Sequence, residues 1–276
     1  MGMLYRIRGI GNLAIDAITL LLRYPVMGVP FLFTGISYVA AMIALYFVSL
    51  AVSPPEIDAY ISGGWVDYPA YAPAVPHLVD YGIYMAAASV GVMVAGSASY
   101  MMYQAVNGRL PDVSLAIRRT VRKFPSIVTA SVGTLLCASL CMMFLAYVLP
   151  QAWPAWLKRA IEFVSIAGIQ AVYVFFVPMA VIEQKNFTVS LAGVFEFFRH
   201  YGFEAVTVVL VPSMLFVPLY YVPDITAVMA SYRLPGVLVI AIAIRILLLV
   251  AIDMSTVLLS ACLFSRCRRE KLTQGG

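Results

Sequence analysis

Long apolar runs separated by short polar connections dominate the pattern of hydrophobic and polar positions along the chain. A helix needs roughly 20 apolar residues to cross a hydrocarbon layer about 30 Å thick, because each residue adds about 1.5 Å. Such runs predict transmembrane helices at residues 26–52, 81–105, 126–149, 160–182, 203–222 and 237–264. We therefore predict an all-α fold, a polytopic membrane bundle of six transmembrane helices.

Composition strengthens this prediction. Hydrophobic residues make up 63% of the 276 positions and charged residues only 11%, whereas soluble domains are about half apolar and a quarter charged. The longest connection, residues 53–79, is a loop rich in Pro, Gly and Tyr, so we expect no soluble catalytic domain and a single integral membrane domain over residues 1–276. Small residues between 86 and 99 allow close helix approach, which predicts that the second span is the central packing helix.

Lys and Arg residues fall mainly on one side of the predicted bundle. Fourteen of them lie in the amino-terminal segment, the second and fourth connections and the carboxyl-terminal tail: Arg6, Arg8, Arg23, Arg109, Arg118, Arg119, Arg122, Lys123, Lys185, Arg199, Arg266, Arg268, Arg269 and Lys271. Only Lys158, Arg159 and Arg233 lie on the other side. Because positive loops stay inside, we predict a multi-pass protein of the cell membrane with both termini cytoplasmic.

The net charge of +5 is a consequence of this topology and of attraction to anionic lipid. The predicted partners are therefore membrane lipids with anionic headgroups, together with other membrane proteins, and not nucleic acid.

The same design recurs before each odd-numbered predicted span. An aromatic residue followed by Pro or Gly precedes the span, as Tyr24-Pro25, Phe124-Pro125 and Tyr201-Gly202. Counting back from each aromatic residue, matched positions at i, i+3, i+4 and i+7 share one helix face. They are Ala17, Leu20, Leu21 and Tyr24, then Ile117, Thr120, Val121 and Phe124, then Val194, Phe197, Phe198 and Tyr201. We predict that each aromatic residue ends an amphipathic helix.

Helices with one apolar and one basic face lie along the membrane surface. The chain is therefore predicted to contain three repeat units, approximately residues 1–106, 107–185 and 186–276, each a cytoplasmic interfacial helix followed by a helical hairpin. In the second unit the candidate contacts to lipid headgroups are Arg118, Arg119, Arg122 and Lys123. A simpler interpretation, that basic residues only mark inner loops, explains the charges but not the matched helix faces and ends.

Two inner connections carry related motifs. One runs from Gln104-Ala105-Val106-Asn107-Gly108-Arg109 into Ser114-Leu115-Ala116, and the other from Pro178 through Val181-Ile182-Glu183 into Val189-Ser190-Leu191-Ala192. In these motifs and in topology the chain resembles the six-span membrane domain of some bacterial glycerophosphodiester phosphodiesterases, and related stand-alone membrane proteins of unknown function. The resemblance implies a membrane module for lipid handling, transport or partner assembly. The phosphodiesterase domain is missing, so its activity is not implied.

One basic residue, Arg245, lies inside a predicted span. A mid-span Arg costs roughly 2.5 to 3.5 kcal/mol on insertion scales, so a partner or a water-filled cavity is expected. Asp253 follows about 12 Å further along the helix axis on a similar face, and Glu162 and Asp80 are other candidate partners. These four residues form a candidate intramembrane polar site, which is either a substrate or ion site or a structural feature of the bundle.

Cysteine and histidine offer no metal or cofactor site. Cys137 and Cys141 lie one helical turn apart, but His77 and His200 are predicted on opposite sides of the membrane, so no zinc or haem ligand set forms. A phosphate-binding Gly-rich loop with Lys and a nucleophile with its base are both lacking. We predict no cofactor, no metal and no enzymatic activity, since a lipid-modifying enzyme would need acids and histidines gathered at one interface.

The function predicted from these features is that of a scaffold or accessory subunit that contacts lipid through its basic interfacial helices. The alternative is a small transporter or channel with a pathway near Arg245, among the fourth, fifth and sixth spans. A water-accessible cavity that reaches Arg245 would distinguish the transporter, whereas a closed polar contact would distinguish the scaffold.

Overall fold

The computed structural model of this chain describes residues 2–51, 90–150, 153–214 and 235–274. All regular structure within these residues is helical, in agreement with the predicted all-α class. The helices are α1 (Gly2–Arg23), α2 (Val29–Ala51), α3 (Val92–Val106), α4 (Val113–Val148), α5 (Ala155–Glu183), α6 (Phe187–Ser213) and α7 (Pro235–Gln274). A short 3₁₀ helix, Pro25–Gly28, joins α1 to α2.

Three of these helices contain stretches that are long and apolar enough to cross a membrane: Val113–Val148, Trp156–Glu183 and Ala243–Arg269. A fourth candidate is the bent pair Gly9–Arg23 and Pro25–Ala41, whose two parts meet at an angle of 103°. These lengths are compatible with a membrane protein. The predicted second and fifth spans extend into residues 81–89 and 215–222, outside the described residues, so the number six stays a prediction.

The centre of the bundle is α3, as its small residues predicted. This helix packs against α2, α4, α5 and α7, and its Ala98, Met101 and Met102 side chains are fully buried. Gly96 lets α4 approach closely, because a Cβ atom at that position would lie only 2.4 Å from Thr120 Cγ2. Close packing of this kind replaces the hydrophobic effect between helices that are surrounded by lipid.

The connection from α3 to α4 is a short turn fixed by side-chain hydrogen bonds. Gly108 adopts a φ of 71°, in the left-handed region that favours glycine. The Gln104 Oε1 atom accepts a hydrogen bond from the Asp112 amide over 2.9 Å. Asp112 in turn caps α4, because its Oδ1 atom accepts a hydrogen bond from the Leu115 amide over 2.9 Å. The turn therefore sets where the basic start of α4 leaves the bundle.

The three predicted helix ends differ in the structure. At Tyr24 the helix stops and the chain turns through the 3₁₀ segment, and at Tyr201 α6 carries a non-helical residue with φ −125° and ψ 24°. The predicted end at Phe124-Pro125 is wrong, since α4 continues through Pro125. Proline is tolerated inside membrane helices when neighbouring groups satisfy the freed backbone, and here Phe124 and Ile127, on either side of Pro125, both pack with the hydrophobic core.

Candidate functional site

A pocket of about 110 Å³ opens where the end of α5, the start of α6 and the end of α7 meet. Its polar lining has two carboxylates, Glu183 and Glu196, and two cations, Lys185 and Arg268. The remaining lining residues are Met179, Gly193, Phe197, Tyr201, Phe264 and Cys267. These segments are the ones that the charge distribution predicts to be cytoplasmic, so the pocket lies at the predicted inner surface.

Glu183 is the central acceptor of this pocket. The Lys185 Nζ atom lies 2.5 Å from Glu183 Oε2, and the Arg268 Nε atom lies 3.8 Å from Glu183 Oε1. The Oε2 atom is buried, and the Lys185 ammonium group is its partner. One mostly buried carboxylate therefore faces two cations.

The local chain path brings these groups together. At the end of α5, Gln184 adopts a left-handed backbone with φ 56° and ψ 26°, and its Nε2 atom donates to the Val181 carbonyl over 2.6 Å. This turn directs Lys185 back toward Glu183. Gly193 of α6 lies against the Met179 side chain of α5, since a Cβ atom there would lie 2.5 Å from the Met179 Sδ atom.

Arginines near the end of α7 join the pocket to the rest of the bundle. The Cζ atom of Arg268 lies 5.5 Å from the centroid of the Tyr103 ring on α3, within the range of a cation–π contact. Two residues earlier, Arg266 forms an ion pair with Asp16 of α1. Residues that the sequence marked only as cytoplasmic charges thus connect α7 to α1, α3 and α5.

The four predicted headgroup contacts on α4 have two different environments. Arg118 and Arg122 are exposed, whereas Arg119 and Lys123 are half-buried. The Arg119 Cζ atom lies 4.6 Å from the centroid of the Tyr100 ring, so this side chain has a partner within the bundle. Arg118 and Arg122 are therefore the most exposed members of the set.

Two of the matched positions predicted for the start of α4 lie outside the bundle. Ile117 and Val121 are 44% and 52% exposed, and the fully buried positions are instead Ala116, Thr120 and Ile127. Thr120 lies against Gly96 of α3, whose lack of a Cβ atom allows this close approach. The matched positions of the other two predicted helices, Ala17, Leu20, Leu21, Tyr24, Val194, Phe197, Phe198 and Tyr201, are buried or half-buried.

The start of the chain repeats this exposed apolar arrangement. On α1, Ile15, Ile18 and Leu22 are more than half exposed, and they recur at i, i+3 and i+7 on one face. Leu13 and Ala17 are buried on the opposite side of the same helix. The helix therefore presents apolar side chains both to the bundle and away from it, close to the exposed Arg23.

Asp253, one of the predicted intramembrane polar residues, accepts a hydrogen bond from Tyr38. The Tyr38 hydroxyl lies 2.7 Å from the Asp253 Oδ2 atom. This contact joins α2 to α7, where Ile246, Leu249 and Ile252 form a small buried cluster with the Tyr38 ring. Sequence reasoning missed Tyr38, whose aromatic body fits an apolar span while its hydroxyl supplies the donor that a buried carboxylate needs.

The structure describes two of the other predicted intramembrane residues. Arg245 is half-buried on α7, where it has an interaction partner, and Glu162 is half-buried on α5. Asp80 lies outside the described residues. The pocket around Glu183 is at the opposite end of α7 from Arg245, so it is not the cavity that a pathway at Arg245 would need.

No family model, curated protein or solved structure matches this chain. The resemblance to the membrane domain of glycerophosphodiester phosphodiesterases therefore stays a prediction. Among the described residues, no group of three or more His, Cys, Asp and Glu side chains could hold a metal ion.

Proposed function

We propose that this protein is a multi-pass membrane protein of six transmembrane helices in three repeat units, with both termini in the cytoplasm. It acts as a non-enzymatic scaffold or accessory subunit. Its basic cytoplasmic helices contact anionic lipid headgroups and fix the depth and tilt of the bundle, so that partner membrane proteins meet it in one orientation.

The order of side chains around the start of α4 carries this proposal. At about 100° per residue, the row of exposed Ile117 and Val121 lies about 100° round the helix from the centre of the buried face. The exposed Arg118 and Arg122 follow about 100° further round. A helix that meets a membrane surface places its apolar row in the hydrocarbon and its basic row at the headgroups. The third face is held by the bundle, which makes this helix a fixed part of the protein.

The other basic segments support the repeat. The chain bends by 103° after α1 and leaves helical geometry at Tyr201 in α6, at two of the three aromatic positions that define the repeat. On α1 the apolar row of Ile15, Ile18 and Leu22 lies outside the bundle beside Arg23, as the Ile117 row lies beside its arginines on α4. Both helices therefore have the side chains that an inner membrane surface requires.

The proposal is tested by the lipid that the purified protein retains. The full chain is reconstituted with equal amounts of phosphatidylglycerol and phosphatidylcholine, released into detergent, and its bound lipids are counted by native mass spectrometry. The wild type is expected to retain mainly the anionic lipid, and Arg118→Gln with Arg122→Gln to reduce that preference. Each base near the surface contributes about 1 kcal/mol, so the two together change the preference by up to about 30-fold.

Arg119→Gln is the matched control, because it removes the same charge from the same helix. It is expected to keep more of the anionic preference than the double variant and to lower the unfolding temperature, since it loses the contact with the Tyr100 ring. The proposal is refuted if the double variant keeps the wild-type preference for anionic lipid. It is also refuted if the preference falls equally for each charge removed at positions 118, 119 and 122, because Arg118 and Arg122 would then contact lipid no more than Arg119 does.

A second candidate function is a small transporter or channel with a pathway near Arg245. It is favoured by polar groups on α2 and α7: the Tyr38–Asp253 hydrogen bond, and the buried hydroxyls of Thr34 and Thr256, which have no partner among the described residues. Both hydroxyls lie one turn from that pair on the same helix faces. Access of water to position 245, tested below, separates this function from the scaffold.

A further inference from the structure

We propose that α2 and α7 bind a sodium ion between them, at the carboxylate of Asp253. The oxygen ligands from the two helices are this carboxylate and the buried hydroxyls of Thr34 and Thr256. The inference goes beyond the proposed function, because it concerns polar groups inside the bundle and not the basic helices that meet lipid headgroups. The same groups favour the second candidate function, but an ion that fixes α2 against α7 does not require a pathway.

The Tyr38–Asp253 hydrogen bond places a carboxylate where two apolar helices pack together. The Tyr38 hydroxyl lies 2.7 Å from the Asp253 Oδ2 atom, and Ile246, Leu249 and Ile252 pack beside the Tyr38 ring. A neutral hydroxyl supplies a hydrogen bond but no charge. Because an ionised carboxylate in apolar surroundings is costly without a positive partner, the site favours a cation close to Asp253.

The basic residues of α7 lie too far along the helix to be that partner. Arg245 precedes Asp253 by eight residues, which is about 12 Å along the axis. On the other side Arg266 follows by thirteen residues, and it pairs with Asp16 of α1. The charge of Asp253 is therefore best balanced by a ligand from solution.

Two buried threonines flank the Tyr38–Asp253 pair. Thr34 precedes Tyr38 by one turn on α2, and Thr256 follows Asp253 by one turn on α7. Only 2% of Thr34 and 8% of Thr256 is exposed. Neither hydroxyl has a hydrogen-bond partner among the described residues, so each oxygen keeps its lone pairs for a ligand.

Other buried hydroxyls of the bundle behave differently. A Ser or Thr inside a helix commonly donates its hydroxyl to the carbonyl one turn earlier. Thr120, Ser213 and Ser265 do so over 2.9, 2.7 and 2.6 Å. The hydroxyls of Thr34 and Thr256 make no such bond. Both oxygens are therefore turned away from the backbone of their own helix, as the ligand of a cation must be.

Contacts along α7 show that α2 and α7 run antiparallel. As the chain runs from Asp16 of α1 to Gly35 of α2, its partners on α7 move back from Arg266 to Val250. The second contact is close, since a Cβ atom at Gly35 would lie 3.6 Å from Val250 Cγ2. Residue numbers that rise along α2 therefore meet residue numbers that fall along α7.

This register brings the three ligands together. Counted from the Gly35–Val250 contact, Thr34 lies level with residue 251, which is about 3 Å from Asp253 along the axis. Thr256 follows within one turn. Because Cα–Cβ bonds tilt toward the N-terminus of their own helix, the Thr34 and Thr256 side chains lean toward each other in an antiparallel pair. The two hydroxyls and the carboxylate thus converge between the helices.

Charge and packing favour sodium over other cations. Carboxylate and hydroxyl oxygens suit hard cations. A divalent ion would need further acidic side chains, and α2 contains no Asp or Glu. Among monovalent ions, potassium is larger than sodium and would push the helices apart next to the close contact at Gly35.

The test compares salts at equal ionic strength. The purified full chain in dodecyl maltoside is heated in sodium, potassium or choline chloride, and unfolding is followed by circular dichroism. Each tenfold rise in sodium above the dissociation constant should raise the unfolding temperature by about 3 to 5 °C, because the ion binds only the folded state. Potassium and choline should have no such effect. Binding of radioactive sodium to the same protein is the direct measurement.

Two variants remove ligands and a third is the matched control. Asp253→Asn should abolish sodium binding, while the unfolding temperature in choline stays near or above that of the wild type, because no charge remains in the apolar span. Thr34→Val replaces a ligand oxygen by a methyl group and should weaken sodium binding roughly 10-fold or more. Thr207→Val on α6 should respond to sodium as the wild type does, since its hydroxyl donates to the Phe203 carbonyl over 2.7 Å.

The proposal is overturned if the wild type binds no sodium and unfolds at one temperature in all three salts, as expected if Asp253 holds a proton or a water molecule instead. It is also overturned if potassium stabilises the protein as sodium does, or if Thr34→Val binds sodium like the wild type. If Asp253→Asn does not fold, the comparison of Thr34→Val with Thr207→Val decides the question. Lipid preference at Arg118 and Arg122 is measured separately, so the ion site and the proposed function fail independently.

Discussion

Packing of α3 on α4 through Gly96 can be tested by a single methyl group. In Gly96→Ala the new Cβ would lie 2.4 Å from Thr120 Cγ2 and 2.9 Å from its hydroxyl oxygen, and Thr120 is fully buried. Overpacking of this kind costs about 1 to 3 kcal/mol. Alanine also gains up to about 1 kcal/mol of helix propensity over glycine, which offsets part of that cost. The net expectation is a loss of roughly 1 to 2 kcal/mol in the free energy of unfolding.

Two further variants isolate the clash. Gly168→Ala on α5 has open space around the added methyl, so it should gain stability from helix propensity alone. Thr120→Ala removes the atoms that Gly96→Ala would strike, and the double variant should therefore recover most of the loss. A double-mutant cycle then gives a coupling energy of about 1 to 3 kcal/mol between positions 96 and 120.

The assay is equilibrium unfolding in mixed micelles of dodecyl maltoside and dodecyl sulfate. Unfolding is followed by reaction of the buried thiols Cys262 and Cys267 with a fluorescent reagent, in a chain in which the more accessible Cys137 and Cys141 are replaced by Ser. The reasoning is refuted if Gly96→Ala is as stable as Gly168→Ala. It is equally refuted if Thr120→Ala fails to rescue Gly96→Ala, because α3 and α4 would then not meet at these atoms.

Three further predictions concern topology and the polar residues of the bundle. In a chain without its native cysteines, single cysteines replace Trp65 and Ser114, and intact cells are treated with an impermeant thiol reagent. Only position 65 should react, since the charge distribution predicts that position 114 lies inside. Labelling at 114 alone would reverse the topology. Tyr38→Phe should lower the free energy of unfolding by about 1 to 3 kcal/mol, because it leaves the Asp253 carboxylate without its donor; an unchanged denaturation midpoint would show that this contact contributes nothing. Arg245→Leu should fold and insert. In Arg245→Cys the thiol should be inert to small water-soluble reagents from both sides of the membrane, whereas rapid modification of that thiol would favour the transporter.

The sequence predicted helix type and helix position well because both follow from the length of apolar runs. The predicted span at 160–182 lies within α5, and the one at 237–264 lies within α7. The predicted boundary was less accurate at the carboxyl-terminal end of α7, which continues to Gln274. Continuation past the apolar run requires tertiary partners, and Arg266 and Arg268 find them in Asp16 and Glu183.

The buried faces of the helices and the pocket were harder to predict, because they depend on which residues of a neighbouring helix lie opposite. On α4 the i, i+3, i+4 pattern put Ile117, Thr120 and Val121 on one face. Of these only Thr120 is buried, and it lies opposite Gly96 of α3. The pocket around Glu183 combines charges from three separate segments, which no spacing along the chain relates. Its sequence signals were a single acid at the end of an apolar run and basic residues in two inner segments.

The depth of α4 in the membrane tests the central claim most directly. A spin label at Ile117 is compared with one at Asn107, in the exposed turn before the helix, in bilayers that contain anionic lipid. The account predicts that the label at 117 collides with oxygen and is shielded from an aqueous nickel chelate, while the label at 107 shows the reverse. It also predicts that Arg118→Gln with Arg122→Gln raises nickel access at 117. Equal nickel access at 117 and 107 in the wild type would contradict membrane contact by this helix.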